Sequence, residues 1–185
     1  SQNSFTYGTD RQKILENIIE TNFLLFQRFE NNIRITFGSK ENNSDFFNSK
    51  NYHYKYRNLE KNILLVCNKK NKLSLDYTTK SKNVIDEEVD LKIHQIGIDF
   101  DRVISEKINL QSDFKYINIY YSGSDNSILN YELMEGLTNG NNFVWVINYT
   151  NQLKNKIEIN LQYSGRKSQT SSIKHIGQVG ITSYF

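Results

Sequence analysis

Hydrophobic and polar residues alternate most cleanly in the C-terminal third of the chain. Over residues 156–166, Ile157, Ile159, Leu161 and Tyr163 alternate with Lys156, Glu158, Asn160, Gln162 and Ser164. A period of two sends successive side chains to opposite sides of an extended backbone. The run therefore predicts a strand with one apolar and one polar face. Upstream, Phe143, Trp145, Ile147 and Tyr149 alternate with Val144, Val146, Asn148 and Thr150, and the residues 152–155 read as a tight hairpin turn between the two strands. A final run sets Val179, Ile181 and Phe185 against Gln178, Gly180 and Thr182.

The pattern extends toward the N-terminus. A strand over residues 107–122 carries Leu110, Phe114, Tyr116 and Tyr120 on one face. Another over 89–100 alternates imperfectly, which predicts a bulge near Gln95, Ile96 and Gly97. Residues 73–79, 52–66 and 32–40 follow, with Tyr52, Tyr54 and Tyr56 alternating in the second and Ile33, Ile35 and Phe37 in the third. Residues 12–30 also fit an amphipathic helix through Ile14, Ile18, Leu25 and Phe29. A strand is preferred there because everything downstream reads as β. Residues 127–142 look strand-like around a turn signal at 138–141, as one interrupted strand or two short ones. With residues 4–8 as the first strand, about ten are expected.

Connection lengths alternate along the chain. Short ones fall near 30–31, 69–71, 103–106 and 154–155, and longer ones near 41–48, 82–87, 122–127 and 167–172. A membrane barrel has tight turns at one rim and loops at the other. The strands at 156–166 and 107–122 also reach the ~9–11 residues of a tilted transmembrane strand, against ~5–6 for an average soluble one. The expected fold is all-β, an antiparallel up-and-down transmembrane β-barrel of about ten strands or the closing strands of a larger barrel, in a single domain over residues 1–185. Ile157, Ile159, Leu161, Tyr163, Val179 and Ile181 are the expected lipid-facing residues. Tyr116, Tyr120, Trp145 and Tyr149 are expected in an aromatic girdle, where half-polar rings suit the headgroup zone. A soluble barrel or sandwich enclosing a hydrophobic ligand shares this alternation with the faces exchanged, and stands as the second reading.

Composition changes the weight of these readings. Hydrophobic residues make up 37% of the 185, below the ~45–50% of soluble domains, yet aromatics reach 13%. A membrane barrel needs apolar residues at only every second strand position. There is no proline and no alanine, which favours long strands over helices. No run of ~18 apolar residues is present, so no transmembrane helix is expected. No leader-like segment opens the chain, which reads as mature, truncated or never exported. The net charge of +3 is dispersed, and Lys69, Lys70 and Lys72 read as a polar turn, so nucleic acid is not an expected partner. The single Cys67 lies in an apolar run and reads as a small buried or lipid-facing residue.

The chain ends Gly177-Gln178-Val179-Gly180-Ile181-Thr182-Ser183-Tyr184-Phe185. An alternating last strand with a terminal Phe resembles the signature of Gram-negative outer-membrane β-barrels, although Ser183 stands where an apolar or aromatic residue is commoner. The resemblance implies that Phe185 serves as an assembly signal read by the barrel-assembly machinery. The segments 130–137, 141–145, 163–168 and 175–177 are similar to the C-terminal end of large uncharacterised Bacteroidota outer-membrane proteins. That similarity implies an outer-membrane barrel with a periplasmic C-terminus, and it carries over no particular enzymatic activity.

Candidate chemistry is sparse. His53, His94 and His175 are far apart, and no metal-ligand spacing or cofactor motif is present. A barrel hydrolase, the third reading, would be sought first at His94 with Asp99 or Asp101, but no nucleophile–base–orienter set is identifiable. The stretch 165–168 lacks the upstream glycine of a phosphate loop. Arg166 and Lys167 are better suited to lipopolysaccharide phosphates or water. The expected function is that of an outer-membrane barrel with a structural, assembly or complex-partner role or a narrow channel. Its expected partners are outer-membrane lipids, lipopolysaccharide, the assembly machinery and other outer-membrane or periplasmic proteins.

Overall fold

The computed structural model describes residues 2–5, 8–25, 28–45, 51–85, 89–123, 128–153, 156–169 and 171–183. In chain order the elements are β1 (Gln2–Phe5), β2 (Gly8–Leu25), β3 (Phe29–Ser44), β4 (Tyr52–Asn68), β5 (Asn71–Val84), β6 (Asp90–Ser105), β7 (Ile108–Ser122), α1 (Ile128–Leu133), β8 (Gly140–Leu153), β9 (Ile157–Ser168) and β10 (Lys174–Ser183). Each strand pairs antiparallel with its sequence neighbours, so one up-and-down sheet runs in order from β1 to β10. Residues 12–25 are strand, not helix. Their helical-looking periodicity arises because β2 carries apolar residues on both sides.

Residues paired across an antiparallel ladder point to the same side of the sheet. Following the register from Leu161 through Tyr149, Leu110, Arg102 and onward divides the side chains into two faces. We call the side that bears α1 inner and the opposite side outer. The outer face carries an apolar belt, interrupted by Lys61 on β4. It runs from Ile19 and Phe23 on β2, through Ile33, Ile63, Leu75, Ile98, Phe114 and Ile147, to Leu161 on β9 and Val179 on β10. The inner face is polar over most of its height, with Glu20, Arg34, Asn62, Asp76, Asp99, Lys115, Asn160 and Gln162 among its residues.

The belt is oblique to the pairing. The row through Ile33, at the middle of the belt on β3, passes Lys61, Tyr77, Ile96, Tyr116 and Phe143 and reaches Lys167 on β9. On β9 the apolar residues are Ile157, Ile159, Leu161 and Tyr163, so the middle of the belt has slipped about seven residues toward the tight-turn rim over six strand steps. With ~3.3 Å per residue and ~4.8 Å between strands, that slip corresponds to strands tilted by roughly 35–40° from the normal to a level belt.

The fully buried hydrophobic cluster is elsewhere. Val84, Leu91, Ile93, Ile117, Ile119, Leu129 and Leu133 pack under α1 at the long-loop end of the inner face. This explains the imperfect alternation of β6. Its pairing is continuous through Gln95, Ile96 and Gly97, and the register shift lies instead between Val103 and Ser105. Leu91 and Ile93 face inward beneath α1, whereas Ile96, Ile98 and Phe100 face outward below it. The apolar side changes because the cover changes, with no extra residue. The segment 127–142 is likewise neither one strand nor two, since Leu129 and Leu133 lie four apart on one side of a short helix and β8 begins only at Gly140.

The sheet is open where a closed barrel is expected. Among the described residues β10 pairs only with β9, and β1 covers β2 only from Gly8 to Arg11. Among the described residues the free edge of β2 below that point has no partner strand, and β1 occupies the place a closing strand would take at its upper end. The expected assembly signal at Phe185 lies outside the described residues, as do Lys154 and Asn155 of the expected hairpin turn.

Candidate functional site: the inner face beneath the helix

α1 and the turn after it are anchored across the inner face by ions. Lys40 on β3 pairs with Glu132 at 2.5 Å. Lys80 on β5 reaches both carboxylate oxygens of Glu135 at 2.8 Å, and Lys82 reaches one at 3.0 Å while donating to the Leu133 carbonyl at 2.8 Å. On β7 the Tyr121 hydroxyl bonds the Asn130 side chain. These contacts span β3 to β7, so the helix lies over the middle of the sheet.

The local chain conformation suits this anchoring. Glu135 has φ of 56° and Gly136 φ of 76°, two left-handed residues that stop the helix. A glutamate in that region is strained, and the two lysines hold it there. Burial pushes the Glu135 carboxyl up, but Lys82 and Lys80 outweigh it and keep the group below the usual glutamate range. Asn142 closes the segment. It is fully buried, donates to the carbonyls of Thr138 at 2.8 Å and Gly140 at 3.1 Å, and accepts from the Ser168 hydroxyl at 2.6 Å.

Tyr52, Tyr54 and Tyr56 form a ladder on the inner face, with ring centroids 5.7 and 6.0 Å apart. Tyr56 crosses Gly38 to bond Glu16, and a Cβ on Gly38 would stand 2.5 Å from the Tyr56 ring. Only glycine allows that crossing. Between this ladder and α1 lies a cavity of about 410 Å³, lined among others by Glu16, Lys40, Tyr54, Asn58, Lys82, Tyr131 and Glu132. Elsewhere the inner face is bonded strand to strand. Arg34 donates to Glu20 at 2.8 Å, Asn62 to Asp76 at 2.6 Å, and Thr150 to Asn160 at 2.8 Å.

The sequence-predicted residues fall as follows. Ile157, Ile159, Leu161, Tyr163, Val179 and Ile181 share the outer face. Tyr116, Tyr120, Trp145 and Tyr149 lie on the same face but at different heights in the belt. Trp145 lies flat over Gly165, where a Cβ would stand 2.2 Å from the indole, and packs against His175. The outer face also holds two charges within the belt: Lys61, in register with Ile33 and Tyr77, and Arg102, in register with Leu110 and nearer the tight-turn rim. His94 is outer, whereas Asp99 and Asp101 are inner, so the expected His–Asp site is not assembled. Arg166 and Lys167 likewise point to opposite faces. Cys67 is exposed near the β4–β5 turn, and no cluster of three metal-ligating residues exists among the described residues.

The ladder of tyrosines, the helix with its lysine anchors and the buried Asn142 are what sequence reading misses. Tyr52, Tyr54 and Tyr56 were visible as an alternation, but their face was not. Comparison of the chain with protein-family models and with curated proteins finds no match.

Proposed function

We propose that the chain forms the wall of an outer-membrane β-barrel whose interior is obstructed by α1, with a structural or complex-forming role rather than that of an open pore. The observation that carries this reading is the oblique apolar belt on the outer face. Its large side chains remain substantially open: Ile19 is 63% exposed, Ile96 54%, Phe114 49%, Leu161 43% and Ile181 71%. Together the belt exposes on the order of 1,000 Å² of apolar surface, well above the ~300–600 Å² of the largest patch on a typical soluble monomer. A slab of lipid accounts for both its continuity and its slope, because strands tilted by ~35–45° cross a level slab obliquely. The polar inner face, tied by strand-to-strand hydrogen bonds, is the interior such a barrel requires.

Backbone groups at lipid depth must be paired. The free edge of β10 and the lower outer edge of β2 are therefore joined, in this reading, through a further antiparallel strand running in the direction of β1. The similarity to Bacteroidota outer-membrane proteins belongs to the same reading, as do lipopolysaccharide and the assembly machinery as partners. The soluble alternative needs an apolar interior to enclose its ligand, and the inner face is polar over most of its height.

Fractionation tests this directly. Expressed behind an outer-membrane export signal, the protein should be recovered in the outer-membrane fraction, require detergent for extraction and migrate faster on gels before boiling than after. Recovery as a folded monomer without detergent would sink the proposal.

A further inference from the structure

We infer that the cavity between the tyrosine ladder and α1 is a binding site for a neutral, hydroxyl-rich ligand, the size and chemistry of sugar rings in an oligosaccharide. Its volume of about 410 Å³ lies within the ~300–1,000 Å³ of small-molecule sites. One buried polar atom there lacks a partner, and a tyrosine hydroxyl lines the same space. The Asn58 side-chain oxygen is shielded from solvent and unbonded among the described residues. Tyr54 is only 4% exposed and lines the cavity. An unsatisfied buried donor or acceptor is costly, so such a group points to a bonding partner that enters the cavity. One hydroxyl that donates and one amide oxygen that accepts match the alternating donor and acceptor capacity of a sugar's hydroxyls.

The remaining walls narrow the class. Tyr56 and Tyr131 offer ring surface to the C–H face of a pyranose. Glu16, Glu132 and Glu135 oppose Lys40 and Lys82, and ion pairs join Lys40 to Glu132 and Lys82 to Glu135. Opposed and paired charges leave no field that attracts an anion. The same polarity is unfavourable to an acyl chain.

The site does not depend on where the outer face resides, so it is tested separately from the membrane reading. Purified full chain in an amine-oxide detergent, which has no sugar headgroup, is titrated calorimetrically with maltotriose, cellotriose and chitotriose. A second arm uses lipopolysaccharide carrying a neutral O-polysaccharide, beside deep-rough lipopolysaccharide that lacks it. Binding of a free trisaccharide identifies a soluble ligand, and binding of only the long-chain form identifies a lipid-borne glycan. In either case Tyr54→Phe and Asn58→Leu should each weaken binding by about three- to ten-fold, the effect of one neutral hydrogen bond. Tyr77→Phe on the outer face should not. An unchanged far-ultraviolet circular dichroism spectrum shows that the variants fold. No heat from any neutral glycan up to about 20 mM would overturn the inference. So would equal binding of deep-rough lipopolysaccharide, or affinity indifferent to both inner-face substitutions.

Discussion

An arginine placed on the outer face should be tolerated or rejected according to its height in the apolar belt. Ile159 lies within about one residue of the belt's middle on β9, so in a membrane it stands near the bilayer midplane. Phe143 lies on the row that reaches Lys167, about six residues above the middle on β8. At ~3.3 Å per residue and a tilt near 40°, that is roughly 15 Å of height, outside half of a belt ~25 Å tall. Arginine on the lipid face costs ~2–4 kcal/mol at the midplane and ~0–1 near the interface. Ile159→Arg should therefore destabilise the assembled protein by about 2–4 kcal/mol. Phe143→Arg should cost at most about 1 kcal/mol from depth, with up to ~1.5 more for its lost ring contact with Tyr116. Gln162→Ala, on the inner face of β9, should change stability by less than about 1 kcal/mol. Urea titration of the protein refolded into lipid vesicles, followed by gel mobility without boiling, measures all three. Equal costs for Ile159→Arg and Gln162→Ala would refute the face assignment, and a larger cost for Phe143→Arg than for Ile159→Arg would refute the slope.

Other substitutions test other parts. Lys61→Leu removes the charge that lies beside Ile33 near the belt's middle and should stabilise the vesicle-embedded protein by about 1–4 kcal/mol; a loss of stability would mean that Lys61 has a partner rather than lipid. Glu135 has a lowered pKa in the folded state, so its ion pairs contribute fully above the ordinary glutamate value and are lost as pH falls through and below ~4.3. The protection factors of the α1 amides, taken relative to intrinsic exchange at each pH, should fall over that range, and Glu135→Gln should remove the dependence; protection that falls as pH rises instead would contradict it. Asn142→Ala should destabilise the α1–β8 connection by about 1–3 kcal/mol, visible as protease cleavage between 123 and 140, because the Thr138 and Gly140 carbonyls and Ser168 lose their partner. Gly165→Ala should displace the Trp145 ring and shift its emission, at a cost of roughly 1–3 kcal/mol.

The strands were legible wherever one face is apolar along the whole length. β9 is such a strand, and its period of two is visible without any partner. β6 is not, because Leu91 and Ile93 are covered by α1 while Ile96 and Ile98 face outward. A local pattern cannot show that its cover changes halfway. α1 itself is six residues long, too short for helical periodicity to stand out, and its anchors Lys40, Lys80 and Lys82 come from distant strands. The separation of His94 from Asp99 was legible, since an odd spacing on one strand sends the two side chains to opposite faces. The cavity was not, because Glu16, Tyr54, Lys82 and Glu132 meet only through register. The slope of the belt also emerges only from pairing, since each strand alone shows its apolar residues but not their height relative to its neighbours.

Trp145 is the only tryptophan in the chain and lies on the outer face, so it reports on that face without labelling. In vesicles of lipids brominated at successive depths, its fluorescence should be quenched strongly, most by bromines near the upper part of the acyl chains, since Trp145 stands about four residues above the belt's middle. Aqueous iodide should quench it weakly. Strong quenching by iodide with no response to brominated lipid would place the apolar belt in water and contradict the membrane-spanning account.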